Sequence, residues 1–226
     1  NNPQAFQTNF NDKDWQTVAV PHDWAISGPF DKDIDKQVVA ITQNGEKQAS
    51  EKTGRTGALP YIGEGWYRKT VELAPLKKGE KAIIIFDGAM SEPRVYFNGQ
   101  KVGEWNYGYN YFYLDITNQL ASNGKNLLAV HLNNVSESSR WYPGAGLYRN
   151  VRIEIKNEIG IEQWGTYITT PFISTEIAKV KIKTKTSGKD LQLVTEILDA
   201  NNKRVSIDTA GTKFGNEFEQ DLAVKN

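Results

Sequence analysis

The chain has 226 residues, which is enough for one large all-β domain or two ordinary domains. Its 27 Lys and Arg residues balance its 27 Asp and Glu residues, and this zero net charge argues against a nucleic-acid-binding protein. The absence of cysteine excludes disulfides, thiolate zinc sites and cysteine nucleophiles, and no apolar run approaches the roughly 18 residues of a membrane span.

The first half of the chain has the alternating pattern of short β-strands. An irregular segment from Phe30 to Gly65 comes first, and its run Val38-Val39-Ala40-Ile41 favours one strand. Further strands are predicted at residues 66–73, 83–86, 94–97, 101–105, 111–116, 127–132 and 151–155. Asn98-Gly99 predicts a type I′ hairpin turn, because both residues tolerate a positive φ. Residues 117–121 are expected to form one short helical turn.

The pattern breaks near residues 156–160 and then restarts. Strands are predicted at residues 164–170, 178–186, 191–198, 204–208 and 218–224. The alternating lysines from Lys179 to Lys185 indicate the solvated face of one strand. The fold class is therefore all-β, a jelly-roll β-sandwich over residues 1–156 followed by an immunoglobulin-like β-sandwich over residues 157–226. Five strands fall short of the usual ~7, so the second domain is expected to be incomplete.

Two polar groups resemble functional sites, and both are interpreted as structural. Asp31, Asp33 and Asp35 imitate the start of a calcium loop, but the glycine and glutamate that such a loop requires are missing, so a solvated acidic loop is expected. His22 and Asp23 are expected to form a structural hydrogen-bonded pair, since no serine nucleophile or metal ligand accompanies them.

The remaining chemistry is sparse. His131 lies in an apolar strand and is expected to be a core histidine with its hydrogen bonds satisfied. No nucleophile elbow or nucleotide fingerprint occurs, and no cofactor or metal is predicted. Glycoside hydrolysis needs two opposed carboxylates, and no pair of acidic residues stands out. On these residues alone the chain is a β-rich binding module.

One segment carries a specific resemblance. Residues 138–151 read S-S-R-W-Y-P-G-A-G-L-Y-R-N-V and resemble a motif of family 2 glycoside hydrolases throughout. Further matches to that family occur in the same order along the chain, at residues 20–24, 65–69, 86–88, 96–99 and 102–110. Over residues 15–156, the chain resembles the N-terminal region of family 2 enzymes of the β-galactosidase type.

The resemblance implies a galactose-binding-like jelly roll, then an immunoglobulin-like domain, then a (β/α)₈ barrel that supplies both catalytic glutamates. It therefore implies that this chain carries no catalytic residue. Instead it would help to shape the pocket for a β-linked galactoside and dock the barrel. The expected substrate-binding residues are Arg140, Trp141, Tyr142, Tyr109 and Asn110. The loop of residues 57–65 is a weaker candidate.

Two alternatives stay open from the sequence. The chain could be a free-standing carbohydrate-binding module, or a structural scaffold used in the assembly of an oligomer. Galactoside, glucuronide and mannoside specificity are not distinguished, and neither are a periplasmic, secreted or cytoplasmic location. Asn1-Asn2-Pro3 does not resemble a signal peptide, and the chain is expected to stop inside its second domain at Asn226.

Overall fold

A computed structural model describes residues 2–39, 50–53, 56–211 and 215–225. Their regular structure is almost entirely antiparallel β-sheet, which confirms the all-β prediction. The chain divides into two compact units, Asn1–Lys156 and Asn157–Asn226. Among the described residues, no helix is long and apolar enough to span a membrane.

The first unit is built from strands β1 to β9. They are β1 (Lys36–Val39), β2 (Ser50–Thr53), β3 (Gly63–Glu72), β4 (Glu80–Phe86), β5 (Arg94–Phe97), β6 (Gln100–Glu104), β7 (Phe112–Asp115), β8 (Lys125–Asn134) and β9 (Val151–Asn157). A four-stranded sheet has the order β3-β8-β5-β6, and a three-stranded sheet has the order β7-β4-β9. Strands β1 and β2 form a separate two-stranded sheet.

The main hydrophobic core takes side chains from both larger sheets. Alternate residues of β8, Leu128, Val130 and Leu132, belong to the same buried cluster as Ile84 and Phe86 of β4. This packing follows from the period of two along each strand, which places every second side chain on the same face. Strand β4 is buried along its continuous apolar run, as a strand covered on both faces should be.

Most of the predicted elements of this unit are present. Asn98 and Gly99 have φ values of +51° and +80°, as the hairpin-turn prediction requires. A short 3-10 helix, Thr117–Gln119, confirms the expected helical turn. Of the predicted strand at residues 38–41, Val38 and Val39 lie in β1, whereas Ala40 and Ile41 lie outside the described residues.

An arginine on β3 ties the first residues of the chain to the sandwich. The side chain of Arg68 is only 4% exposed, and its Nε donates to Asp12 at 2.8 Å. Its two terminal nitrogens donate to the carbonyls of Ala5, Gln7 and Phe10. The guanidinium also lies over the ring of Phe10, 5.4 Å from its centroid. One buried cation therefore satisfies several carbonyls of a segment that has no strand of its own.

The second unit contains the remaining strands, β10 (Ile161–Ile173), β11 (Ile177–Thr186), β12 (Gln192–Leu198), β13 (Arg204–Gly211) and β14 (Glu217–Lys225). One sheet has the order β10-β11-β14, and β12 pairs with β13 in another. The small buried core includes Ile182, Phe218 and Leu222.

The lysine row of β11 is a solvated face, as predicted. Lys183 forms a 2.6 Å ion pair with Glu219 of the adjacent strand β14, and Lys181 lies 3.6 Å from Asp221. The hydrogen bond and charge of Glu219 raise the pKa of Lys183. Such exposed pairs stabilise a protein little, because solvent screens both charges.

Candidate functional site

The second half of the motif, residues 142–147, is built into the fold by Asp23. One carboxylate oxygen of Asp23 accepts hydrogen bonds from the Tyr142 hydroxyl at 2.5 Å and the Ala25 amide at 2.9 Å. The other accepts from the Ala145 amide at 3.1 Å. The neighbouring backbone pairs as well, because the Trp24 amide donates to the Ala145 carbonyl. Residues 142–147 are therefore a structural corner.

Gly146 shows how closely this corner is packed. Its φ is +122°, a conformation that favours glycine, and its amide and carbonyl both bond to the backbone of Met90. A Cβ atom at this position would overlap the Tyr67 hydroxyl and would lie 2.7 Å from the His22 carbonyl oxygen. Gly146 is thus required because the segments that carry His22, Tyr67 and Met90 all approach it closely.

Tyr142 is half-buried, and its hydroxyl is already engaged by Asp23. Its ring packs edge-on against Tyr61, with 6.2 Å between the centroids. Burial, together with the hydrogen bond and charge of Asp23, raises the pKa of Tyr142. The hydroxyl therefore stays protonated and donates, which suits a residue that holds the loop in place.

The preceding loop, residues 135–141, is supported by a second buried carboxylate, Asp35. This residue is 7% exposed, accepts the Tyr61 hydroxyl at 2.7 Å and accepts the Glu137 amide at 2.8 Å. Asp35 and Glu137 have φ values of +47° and +56°, so both ends of this contact are held in an unusual backbone conformation. The prediction of a wholly solvated acidic loop is therefore wrong for Asp35, whereas Asp31 and Asp33 are exposed.

Next to Asp35, this loop forms one wall of a polar cleft that is open to solvent. The cleft is lined by Lys36 of β1, Glu51 of β2 and the loop residues from Glu137 to Trp141. Arg140 is exposed, and its guanidinium makes no hydrogen bond or ion pair with the described residues. The cleft thus presents both cationic donors and carboxylate acceptors, and hydroxyl-rich ligands can use both.

Trp141 connects this cleft to a second group of predicted site residues. Its indole Nε1 donates to the Tyr109 hydroxyl at 2.7 Å, although the two residues are 32 positions apart. Asn110, the neighbour of Tyr109, accepts a 2.8 Å hydrogen bond from the indole of Trp105. Arg140, Trp141, Tyr109 and Asn110 therefore belong to one connected surface, and Tyr142 lies beneath it.

The two histidines differ from expectation. His22 does not pair with Asp23, because its Nδ1 lies 2.7 Å from the Tyr67 hydroxyl and Asp23 has the partners given above. His131 is buried as predicted, and its Nε2 lies 3.5 Å from Glu64. Its Nδ1 has no hydrogen-bond partner among the described residues, so the prediction of full satisfaction is wrong.

No arrangement suited to a metal ion was found in the part of the chain that the structure describes, where groups of three or more His, Asp or Glu residues were sought. The cleft contains two carboxylates, Glu51 and Glu137, but both side chains are exposed. A glycosidase acid is usually held in an apolar environment that keeps it protonated, and an exposed glutamate lacks that environment. In the part of the chain that the structure describes, the cleft offers polar groups that can bind a polar ligand.

Comparison with known proteins identifies the family. Residues 3–156 match the family model described as "Glycosyl hydrolases family 2, sugar binding domain". The chain belongs to glycosyl hydrolase family 2. The resemblance in residues 138–151 is thereby confirmed, and the part of the family that is matched is the N-terminal one.

Individual relatives support this assignment. The chain is 34% identical to the β-galactosidase BoGH2A of Bacteroides ovatus over 98% of its own length and 25% of that protein. It is 32% identical to a putative β-glucuronidase of Formosa agariphila, over 90% of this chain and 18% of that protein. A solved structure of a family 2 member from Bacteroides cellulosilyticus matches with a TM-score of 0.82 at 28% identity, over 99% of this chain and 28% of that one. The chain therefore spans about a quarter of the length of these family members.

The sequence did not reveal the residues that hold the loop of Arg140 and Trp141 in place. Asp23 and Asp35 bond to residues 119 and 102 positions away, and no local pattern marks such a distance. Tyr107 was also missed, although it lies two positions from Tyr109 in a run rich in aromatic residues. The high aromatic content of this run, residues 105–113, could have identified Tyr107.

Proposed function

We propose that the chain is the non-catalytic sugar-binding part of a β-galactosidase-like, retaining β-glycosidase. Residues 1–156 form the galactose-binding-like jelly roll, and residues 157–226 form an incomplete immunoglobulin-like sandwich. The chain walls one side of a pocket for a β-linked galactoside and docks a (β/α)₈ barrel that carries the catalytic carboxylates. The family assignment and the partial coverage of the relatives support this proposal.

The observation that carries the proposal is the division of one motif into two parts. Residues 142–147 make contacts that hold the fold together, whereas Arg140 and Trp141 are exposed at a polar cleft. An arginine can donate to two oxygens at once, and an indole offers a flat apolar face. Arg140 and Trp141 contact the sugar, and the free amide nitrogen of Asn110 and the ring of Tyr109 contribute beside them.

Tyr142 acts on the sugar through the loop rather than by contact. Its hydroxyl and its ring already have partners in Asp23 and Tyr61. It therefore holds the backbone that leads to Trp141 and Arg140. A residue in this role alters binding only when its loss displaces the loop.

The test uses the full-length enzyme that contains this chain. Arg140→Ala should lower kcat/KM for a nitrophenyl β-galactoside by roughly ten- to a hundredfold, because a charged hydrogen-bond donor is lost from the site. Arg94→Ala is the matched control, since Arg94 is an exposed arginine of β5 that does not line the cleft. An unchanged kcat/KM for Arg140→Ala would show that Arg140 does not bind the substrate.

A second experiment tests the non-catalytic assignment. The 226-residue chain alone should not release nitrophenol from a β-galactoside. Turnover that disappears on Glu51→Gln or Glu137→Gln would show that the cleft is catalytic and would contradict the proposal.

The exposed aromatic rings beside the cleft favour a second candidate, a free-standing carbohydrate-binding module. Trp141 and Tyr109 would serve such a module equally well. The two candidates differ in whether a barrel belongs to the same polypeptide. The coding sequence that follows residue 226 decides between them.

A further inference from the structure

A row of three exposed aromatic rings extends away from the cleft. The side chains of Trp141, Tyr109 and Tyr107 are 57%, 39% and 58% exposed. The Trp141 indole donates to the Tyr109 hydroxyl, and the rings of Tyr109 and Tyr107 meet edge-on with 5.6 Å between their centroids. The row therefore starts at the lining of the cleft and continues beyond it.

The row is held in place from below. The carbonyl of Gly108, between the two tyrosines, accepts the Tyr148 hydroxyl at 2.7 Å. The backbone of Gly108 also packs so closely on the Met90 side chain that a Cβ atom would overlap it. Since both tyrosines flank a fixed residue, a ligand that stacks on them does not have to order the loop first.

The chemistry of the row is amphipathic throughout. Residues 105–113 contain no aliphatic side chain, and their exposed aromatic members are tyrosines and a tryptophan with polar tips. Pyranose rings have apolar C–H faces and hydroxyl rims, which match such rings. Tyrosine and tryptophan are also enriched at protein interfaces, and the variants below distinguish the two kinds of ligand.

We propose that the row binds successive sugar units, so that the ligand of this site is an oligosaccharide. This inference rests on the proposed function, because the first unit occupies the cleft beside Arg140. The first unit also stacks on Trp141, and the second and third units stack on Tyr109 and Tyr107. The Tyr109 and Tyr107 rings have centroids 5.6 Å apart and planes inclined by 61°, so successive sugars that stack on them are rotated relative to one another.

The experiment measures how affinity depends on chain length. Methyl β-galactoside and β-1,4-linked galactobiose, galactotriose and galactotetraose are titrated into the 226-residue chain by calorimetry. The Kd should fall roughly three- to tenfold for each unit that gains an aromatic ring, up to the third unit. A Kd that is the same for all lengths, or no binding of galactotetraose, overturns the proposal.

The variants separate the row from the cleft. Tyr107→Ala should abolish the gain from galactobiose to galactotriose without changing the Kd of methyl β-galactoside, and Tyr107→Phe should retain the gain because the ring face remains. Tyr167→Ala is the matched control, since Tyr167 is an exposed tyrosine of β10 in the second unit. Equal affinities for Tyr107→Ala and Tyr167→Ala would overturn the proposal and leave the rings as a docking surface for protein.

Failure of the proposed function has a different signature. Arg140→Ala should weaken the binding of all four ligands by the same factor. If Arg140→Ala has no effect while affinity still rises with length and falls with Tyr107→Ala, then the row binds sugar and the assignment of Arg140 is wrong.

Discussion

Asp23 and Tyr142 are 119 positions apart in the chain, and the hydroxyl of Tyr142 donates a 2.5 Å hydrogen bond to the carboxylate of Asp23. This contact joins the segment before the sandwich to the loop that carries Trp141 and Arg140. The same carboxylate accepts two backbone amides, so it fixes the position of both segments at once. The motif of residues 138–151 therefore combines a structural half with an exposed half.

Tyr142→Phe should separate these two halves. Removal of the hydroxyl leaves Asp23 with its backbone donors only, so the free energy of unfolding should fall by about 1.5–3 kcal/mol. Galactotriose binding should be retained, because the ring still packs on Tyr61. Chemical denaturation and calorimetric titration measure the two quantities. Tyr167→Phe, on an exposed ring, should change stability by less than about 0.5 kcal/mol. Unchanged stability with weakened binding would instead place Tyr142 in the sugar site.

Arg68→Met should detach the first residues of the chain from the sandwich. The substitution keeps an apolar stem but removes the donors to Asp12 and to three carbonyls, so the free energy of unfolding should fall by about 2–4 kcal/mol. Limited proteolysis should then cleave within residues 2–15. Lys69→Met, at the exposed adjacent position, is the control and should preserve both the stability and the protease resistance. Equal behaviour of the two variants would show that the anchor is unimportant.

Gly146→Ala should be among the most destabilising single substitutions in the chain. The new Cβ would meet the Tyr67 hydroxyl and the His22 carbonyl, and the backbone would keep a φ of +122°, so a loss of about 3 kcal/mol or more is expected. Gly160→Ala has no heavy atom within 4 Å of the added Cβ and should stay within about 1 kcal/mol of the parent. Thermal melts of the two purified variants make the comparison. A stable Gly146→Ala protein would mean that this corner is not packed as described.

Stability should decline at alkaline pH because of Tyr67. Burial raises the pKa of Tyr67 from an ordinary value of 10.0 to about 12 in the folded chain. Between these values the unfolded chain loses the proton and the folded chain keeps it, so the free energy of unfolding falls as pH rises from 10 towards 12 and is unaffected by this group below pH 10. Burial also raises the pKa values of Tyr61 and Tyr142, which adds to the effect.

The measurement is the melting temperature between about pH 8 and pH 11. Tyr67→Phe is the control, because its melting temperature should fall less steeply over this window than that of the parent. The comparison is needed because lysines also lose their protons there. Identical slopes for the two proteins would show that Tyr67 ionises alike in the folded and unfolded chains.

Local patterns predicted most of the strands but not β2 (Ser50–Thr53), and they did not predict the residues that support the site. The alternation along residues 66–73 and the Asn98-Gly99 turn report short-range geometry, and both are found where they were expected. Asp35 was misjudged because it belongs to a run rich in charged residues, and its burial depends on Tyr61 and on the Glu137 amide. The partners of His22 and Asp23 lie on distant segments, which a reading of adjacent residues does not reveal.

Met90 is the only methionine of the chain, is 5% exposed, and packs against Gly108 between the two tyrosines of the aromatic row. Carbon-13 labelling of its methyl group would therefore give a single NMR resonance beneath the row, free of overlap. The chain thus carries a built-in spectroscopic probe of the aromatic row.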